Sequence, residues 1–492
     1  MYFYQRCFTS VAIISAISLT GCVDVEDDED GDGNGYAQYV NLVPQSPNIE
    51  FVVDDDSEGE MSFAEATAYS YVSNISYDIE FNQILPNTEN SNFIDDESLK
   101  VDNKKVHSYI LYGETDYPSS LEIEIDVSDV YDSDFDDGFA IVQFANLASY
   151  DDSVDVYILD ADSSLTNQSA SYTLSLADTS GDTELDAGDY KIVFTESGTD
   201  TILAMKNDIT IEEGEALSYV LVSYDSAGIE NSFFSIVELN SSGARQLTNE
   251  AQDSYLRVSN NITNTSAISV AQSTTSNLVA EDIYFGELSD FISIDIDDPD
   301  EATNVDIYLR DSDSQSVLES TSIDFHADEI ALLLGSGNAN STVTSYSSTE
   351  DLRIIETHAK LLFFHNIDNE SSTSISVKVI EQGSSPDSYD ESNSFSYLSS
   401  LDVEIEAGDY DVYVYDSETD DLLLETTLYD VQASDVINLV LSDYDYGGAP
   451  GAFMIVGECP FLSFSLSFFL ECRSYAYAKG TARKWNFIFY VR

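Results

Sequence analysis

Asp186–Asp200 reads DAGDYKIVFTESGTD, and Glu406–Asp420 reads EAGDYDVYVYDSETD. The two align without a gap at an offset of 220 residues. Each sets a glycine turn before a tyrosine, then alternates large apolar side chains with polar or smaller ones. Each closes on a cluster of Asp, Glu, Ser and Thr. Period-two alternation rich in aromatic and β-branched residues, bounded by turn formers, predicts half-buried strands.

Further copies fill the distance between the twins. Four segments open alike: AQYVNLVPQSPNIEFVVDDD from Ala37, FAIVQFANLASYDDSVDVYILDAD from Phe139, YLRVSNNITNTSAISVAQST from Tyr255 and AKLLFFHNIDNESSTSISVKVIEQ from Ala359. Each is a strand-like run ending at an asparagine, Asn41, Asn146, Asn260 and Asn366, at spacings of 105, 114 and 106 residues. Later segments agree too. VHSYILYG at Val106–Gly113 matches ALSYVLVS at Ala216–Ser223, and VDIYLRDSDSQSVLE at Val305–Glu319 aligns with YDVYVYDSETDDLLLE from Tyr410. The offset is therefore two periods of about 110 residues, and a repeat of that size is one structural unit. No amphipathic helix interrupts a unit. Seven or so short strands in about 110 residues predict a β-sandwich.

The expected organisation is all-β: four tandem immunoglobulin-like β-sandwiches at residues 36–137, 138–252, 253–357 and 358–456. A signal peptide at 1–21 and an acidic tether at 22–35 precede them, and an anomalous tail at 457–492 follows. The strings Asp186-Ala187-Gly188-Asp189-Tyr190 and Glu406-Ala407-Gly408-Asp409-Tyr410 resemble the tyrosine corner of immunoglobulin-like sandwiches, in which a tyrosine hydroxyl bonds back to upstream backbone. An immunoglobulin domain would place a disulfide cysteine two residues later, where Ile192 and Val412 stand. The units hold no cysteine, so each is expected to close its own apolar interior by burial alone.

VNLVPQSPNIEFVV, FANLASYDDSVDVYIL and the later YFGELSDF at Tyr284–Phe291 resemble a family of domains of unknown function found in tandem on bacterial surface lipoproteins. Its modules open with a string like V-R-V-V-N/H-A-S-P-D-A-P-x-V-D-V-Y-V and later carry an A-G-x-Y turn. The resemblance runs from about Ala37 to Val456. It implies an extracytoplasmic, sandwich-like, non-catalytic module and no agreed ligand.

Composition sets the company the chain keeps. There are 93 Asp and Glu against 17 Lys and Arg, a formal charge of −76. Such a surface repels nucleic acid and anionic lipid, and it tolerates salt that screens the repulsion. Hydrophobic residues make up 43%, too many for a disordered acidic coil.

The start, MYFYQRCFTSVAIISAISLTGC, carries Arg6 as its one charge. The apolar run Val11–Leu19 is too short for a permanent span and fits a signal h-region. It ends in Leu19-Thr20-Gly21-Cys22, which resembles the bacterial lipobox. The resemblance implies that Cys22 becomes the lipidated first residue, anchored by several acyl chains at about 0.8 kcal/mol per buried CH₂. Val23, where Asp would retain a lipoprotein in the inner membrane, points to the outer membrane. The partners expected are the membrane, through that lipid, and a surface protein or glycan.

The chemistry expected is sparse. DTSGDTELD offers Asp178, Ser180, Asp182, Glu184 and Asp186 as alternate oxygen ligands for Ca²⁺, although Thr183 stands where a calcium loop has its glycine. A solvated hairpin is the competing reading, and no other cofactor is expected. Asp30, Asp32, Asn34 and Gly35 open like an EF-hand, but Asn41 stands where a bidentate Glu is required. His107, His326, His358 and His365 show no zinc spacing and read as surface or strand-edge residues. There is no nucleophile elbow and no phosphate loop. A non-enzymatic surface lipoprotein is therefore expected. A carboxylate-based enzyme acting on polysaccharide and a purely structural stalk are the rivals. After Gly451 the language changes. The run Gly457–Arg492 has five basic and two acidic residues and the chain's one Trp. It reads as a frameshifted or disordered end, with a membrane-proximal segment as the alternative.

Overall fold

The computed structural model describes residues 33–458 apart from 87–91, 129–137, 150–152, 162, 230, 297–301, 367–373, 387–392 and 445–449, together with 476–477. The leader, the tether up to residue 32 and most of the tail lie outside the described residues, as does the start of the EF-hand-like string. No α-helix occurs among the described residues.

The strands form four repeats of one two-sheet, eight-strand pattern. In the second repeat the strands are Phe139–Asn146, Val154–Asp160, Tyr172–Leu174, Thr183–Asp186, Gly188–Glu196, Ile202–Ile211, Ala216–Tyr224 and Phe233–Asn240. One sheet has the order fourth-first-seventh-eighth and the other third-second-fifth-sixth. The first and seventh strands run parallel, with Phe144 opposite Tyr219; the other pairs are antiparallel. The same parallel pair recurs as Asn34–Leu42 with Lys105–Gly113, Ser254–Thr263 with Ile330–Asn338, and Ala359–Asn366 with Val436–Tyr444. The tandem β-sandwich architecture read from the repeats is the architecture of the chain.

The units do not stand as separate beads. Each has an interior of its own, such as Phe51, Phe81 and Tyr109 in the first and Phe144, Phe194 and Tyr219 in the second. Two further apolar layers lie between units. Val40, Leu42, Ile110 and Ile123 of the first unit pack on Ile141, Ala145, Val220 and Val237 of the second. Leu332 and Leu334 of the third pack on Leu362, Phe364 and Val440 of the fourth, joined by Phe233 of the second. The sheets holding the parallel strands are thus buried on both faces. That is why FAIVQFAN and ALSYVLVSY are almost continuously apolar, whereas SYDIEFNQ on the other sheet alternates. The layers between units add to the interior that each unit closes for itself.

The links between units are fixed by hydrogen bonds. Asn249 donates to the carbonyls of Leu203 and Phe234 at 3.0 and 2.8 Å, and Glu250 accepts from Lys206 at 2.5 Å. Between the third and fourth units, Arg353 Nη1 donates to the carbonyls of Pro44 and Ser46 at 2.9 and 3.1 Å. Its guanidinium lies 5.4 Å from the Phe63 ring centre. Ala227 N donates to Leu352 O at 2.8 Å, so the segment at 352–353 touches the first and second units together.

Candidate functional site

Polar residues at the end of each first strand tie the two sheets of a unit together. Asn41 Nδ2 donates to Met61 O at 3.0 Å and its Oδ1 accepts from Val43 N at 3.0 Å. Asn146 does the same with Leu174 O and Ala148 N, at 3.3 and 3.2 Å, and Asn260 with Ile283 O and Ile262 N, at 2.8 and 2.9 Å. The carbonyl acceptors are at the ends of the third strands, on the opposite sheet. These contacts join the two sheets of a unit, and Ile192 and Val412, where an immunoglobulin domain would place a cysteine, lie buried in the apolar interiors. In the fourth unit the equivalent place falls to His365. Leu398 N donates to His365 O, as Ala177 N does to Asn146 O and Gly286 N to Asn260 O. His365 packs edge-on to Phe395 and Tyr397, with ring centres 5.7 and 5.8 Å away. Burial pushes its imidazole down to about 4.

The tyrosines at the start of the fifth strands reach back over the preceding turns. Tyr190 Oη donates to Asp186 O at 2.8 Å and Tyr410 Oη to Glu406 O at 2.9 Å. Tyr77 makes the same bond to Ser73 O at 3.0 Å in the first unit. Sequence reasoning missed Tyr77 because Ser73-Asn74-Ile75-Ser76 has no glycine, although the four-residue interval to the acceptor was visible.

The calcium-like string does not gather around one point. Asp178 Oδ2 accepts from Ser175 N at 3.0 Å, and Ser180 Oγ accepts from Phe144 N at 2.9 Å. Asp182 accepts from Gln143 Nε2 at 2.6 Å and from Asp126 N at 3.4 Å. Glu184 and Asp186 lie exposed on the extended strand Thr183–Asp186, paired with the first strand. Residues two apart on a strand are separated by about 6.5 Å, and a calcium loop must instead curl its oxygens to within about 2.5 Å of one ion.

Other carboxylates close turns. Glu65 accepts from Ser62 N at 2.9 Å, Glu287 from Tyr284 N at 3.0 Å, Glu215 from Glu212 N at 2.9 Å, Glu329 from His326 N at 3.0 Å and Asp435 from Gln432 N at 2.8 Å. Each spans three residues, the reach of an acidic side chain folding back on its own turn.

Three histidines are buried, not at the surface or an edge as expected: His107, His358 and His365; His326 is exposed. His107 and His365 sit in a seventh and a first strand, on the faces that Tyr109 and Phe363 turn into their own units' interiors, and His358 directly precedes the first strand of the fourth unit. His107 lies with Glu122 and Glu124, three potential ligand atoms within 4.8 Å of one another. Its Nε2 accepts from Asp102 N at 2.9 Å, so that nitrogen carries the lone pair. Its Nδ1 then carries the proton and donates to Glu122 Oε1 at 2.5 Å. Glu124 is held by Lys105. The ring has no nitrogen left over for a metal or a substrate, and the trio reads as a structural seam.

Residues 35–157 match a family model described as a domain of unknown function (DUF4397). The matched segment spans the first unit and runs into the second strand of the second. No curated protein matches the sequence. Among solved structures, the Bacillus anthracis TIE protein is similar at 8% identity over 84% of this chain and 69% of that one, with a TM-score of 0.14. A family 26 carbohydrate-binding module from Eubacterium rectale, in complex with maltoheptaose, is 9% identical over 38% of this chain and 92% of its own, with a TM-score of 0.15. A putative adhesin from Bacteroides ovatus is 10% identical over 67% of this chain and 95% of its own, with a TM-score of 0.13. At those TM-scores the likenesses carry no argument about ligand or activity.

Proposed function

We propose that the chain is a lipid-anchored protein of the bacterial outer membrane that presents a rigid block of β-sandwiches for binding a protein or glycan, without catalysis. The observation that carries the reading is the pairing of a leader ending in Leu19-Thr20-Gly21-Cys22 with a fold whose polar groups serve structure. Glu65, Glu215 and Glu287 close turns, and the His107 ring has both nitrogens engaged. The second sheets and their loops remain outside, and loops on a rigid scaffold are the usual binding elements. The locked links at Asn249 and Arg353 favour a block over an extensible stalk.

The test has two arms. Cells expressing the gene are fed an alkyne fatty acid; label on the wild type and none on Cys22→Ser supports the anchor. The purified 36–456 fragment is passed over cell-surface fractions and a glycan array. Retention without turnover supports a binding protein, and release of shortened glycan would establish the enzyme instead.

A further inference from the structure

The edges of the paired sheets differ between units. In the first pair they are covered across the interface. Gln143 Nε2 of the second unit donates to Glu124 O on the eighth strand of the first, Pro118–Asp126, at 2.6 Å, and Asp182 accepts from Asp126 N on the same strand. The eighth strand of the second unit, Phe233–Asn240, carries an added strand, Gly243–Leu247. In the fourth unit Pro450–Glu458 is joined by Ala476–Tyr477. The eighth strand of the third unit, Val343–Thr349, carries no added strand among the described residues, and the fourth unit reaches it through a side-chain contact, Ser348 Oγ to Ser400 Oγ at 3.4 Å, that takes up none of the strand's backbone groups.

Its sequence is VTSYSST: seven residues, no charge, no proline and no register shift against Ile330–Asn338. The other described edge strands longer than four residues carry a charged residue or an added strand. Asn338 N donates to Thr342 O and Glu350 N to Ile330 O, which fixes the ladder phase. The backbone groups of Thr344, Tyr346 and Ser348 face the partner strand, and those of Val343, Ser345, Ser347 and Thr349 face outward. Ser347 is exposed and Ser345 half-buried. The residues that cap an edge in the first pair are also replaced. Gln38 and Gln143 correspond to Arg257, which turns to Glu350, and to Leu362, which lies in the apolar layer.

An uncharged, unkinked edge that no strand has joined is a template for an added one. The surroundings select its charge. Glu319 and Asp324 lie on the neighbouring sixth strand Val317–Phe325, Glu329 accepts from the Thr349 hydroxyl at 2.7 Å, and the whole chain carries −76. We propose that Val343–Thr349 receives an extended basic peptide segment of a partner protein by strand addition. The site specifies the ligand class within the binding function argued above and rests on it.

The test uses the full chain and hydrogen exchange read by mass spectrometry over 343–349. The probe is a synthetic octapeptide of alternating Lys and Val, with alternating Glu and Val as control. The Lys peptide is expected to slow exchange in the segment about tenfold, and the Glu peptide to leave it unchanged. Ser347→Pro removes an outward N–H that no other strand uses, which an edge tolerates, and is expected to abolish the effect. Ser345→Lys keeps every backbone group and is expected to weaken it. No slowing with the Lys peptide, equal slowing with the Glu peptide, or full slowing in Ser347→Pro would overturn the proposal. Slowing that grows with protein concentration and no peptide would assign the edge to a second copy of the chain and overturn it as well. Loss of the effect alongside retention of the 36–456 fragment on a cell fraction would leave the binding function standing, with its ligand elsewhere.

Discussion

Gln38 and Gln143 occupy the same place in successive first strands, and each reaches into the other's unit. Gln38 Nε2 donates to Asn240 O at 3.0 Å, and Gln143 Nε2 to Glu124 O at 2.6 Å. Both are buried. Reciprocal contacts of this kind are what a two-fold interface has, here between two copies fused in one chain. The first and second units therefore behave as an internal dimer. The third and fourth pack through the same sheets, so the repeat written in the sequence at 220 residues corresponds to a pair.

Truncating either glutamine leaves carbonyls without their donor in a buried layer. Gln38→Ala and Gln143→Ala are each expected to cost about 1–3 kcal/mol. Urea unfolding of the 36–456 fragment reads this as a lower midpoint at unchanged slope. A loss below about 0.5 kcal/mol in both would show that water replaces the bonds and that the interface is apolar in its energetics.

Asp328 sits where the second and third units meet. Its Oδ2 accepts from Asn249 N at a long 3.4 Å, and its buried Oδ1 has no partner among the described residues. Burial pushes its carboxyl up to about 7. The unfolded chain releases that proton near pH 4 and the folded chain near 7, so between those values the folded state binds more protons. Stability from this residue is full below pH 4, falls through the window and stays low above 7. Asp328→Asn should therefore raise the melting temperature at pH 8 and change it little at pH 4. An equal gain at both pH values would show that charge at Asp328 is not the cause.

His365 carries the opposite sign. Its pKa falls to about 4 in the fold against 6.5 unfolded, so the unfolded chain binds more protons between those values. Its contribution is full above pH 6.5 and lost as pH falls towards 4. His365→Asn installs the residue that holds this place in the other three units, and it is expected to flatten the acid limb of stability between pH 6.5 and 4. Melting curves at pH 7 and 4.5 check this, and an unchanged acid limb would refute it.

How much was legible follows from where each signal lives. Strand alternation, the period and Asn41, Asn146 and Asn260 are local, so the sequence carries them directly. His365 escaped because alignment by residue type selects its neighbour Asn366, whereas the hydrogen bonds of Leu398 and Ser399 select His365. His107 lies on the face of its strand that Tyr109 and Leu111 turn into the first unit's own interior, and His358 precedes the strand whose Leu362 and Phe364 turn towards the third unit; neither burial is contained in a window of sequence. The string from Asp178 to Asp186 has the spacing of a calcium loop, but pairing of Thr183–Asp186 with the first strand pulls it straight.

The tyrosine corners differ in burial, and their worth should differ with it. Tyr410 is buried, whereas Tyr190 is half-buried. Tyr410→Phe strands the Glu406 carbonyl in a less hydrated site than Tyr190→Phe strands that of Asp186. Each is expected to cost about 0.5–1.5 kcal/mol, with Tyr410→Phe the larger. Chemical denaturation of the two variants and of Tyr77→Phe ranks them. A larger loss at Tyr190 would show that burial does not set the strength of the corner.

The layer between the third and fourth units holds an ion pair where the first pair has glutamine. Arg257 Nη1 lies 3.5 Å from both Glu350 oxygens, Asn438 Nδ2 donates to Glu350 Oε1 at 3.2 Å, and the guanidinium lies 4.9 Å from the Phe291 ring centre. Both charges are buried, and burial pushes the Glu350 carboxyl up despite Arg257 beside it. Removing one partner leaves the other charge uncompensated, so Glu350→Gln should cost about 3–5 kcal/mol. Replacing both, as Arg257→Met with Glu350→Leu, removes the desolvation along with the attraction and should lie within about 1 kcal/mol of wild type. A thermal double-mutant cycle measures the difference. If the double variant falls as far as Glu350→Gln alone, the pair contributes net stability beyond what an apolar contact supplies at that place, and the two interfaces are held by different physics.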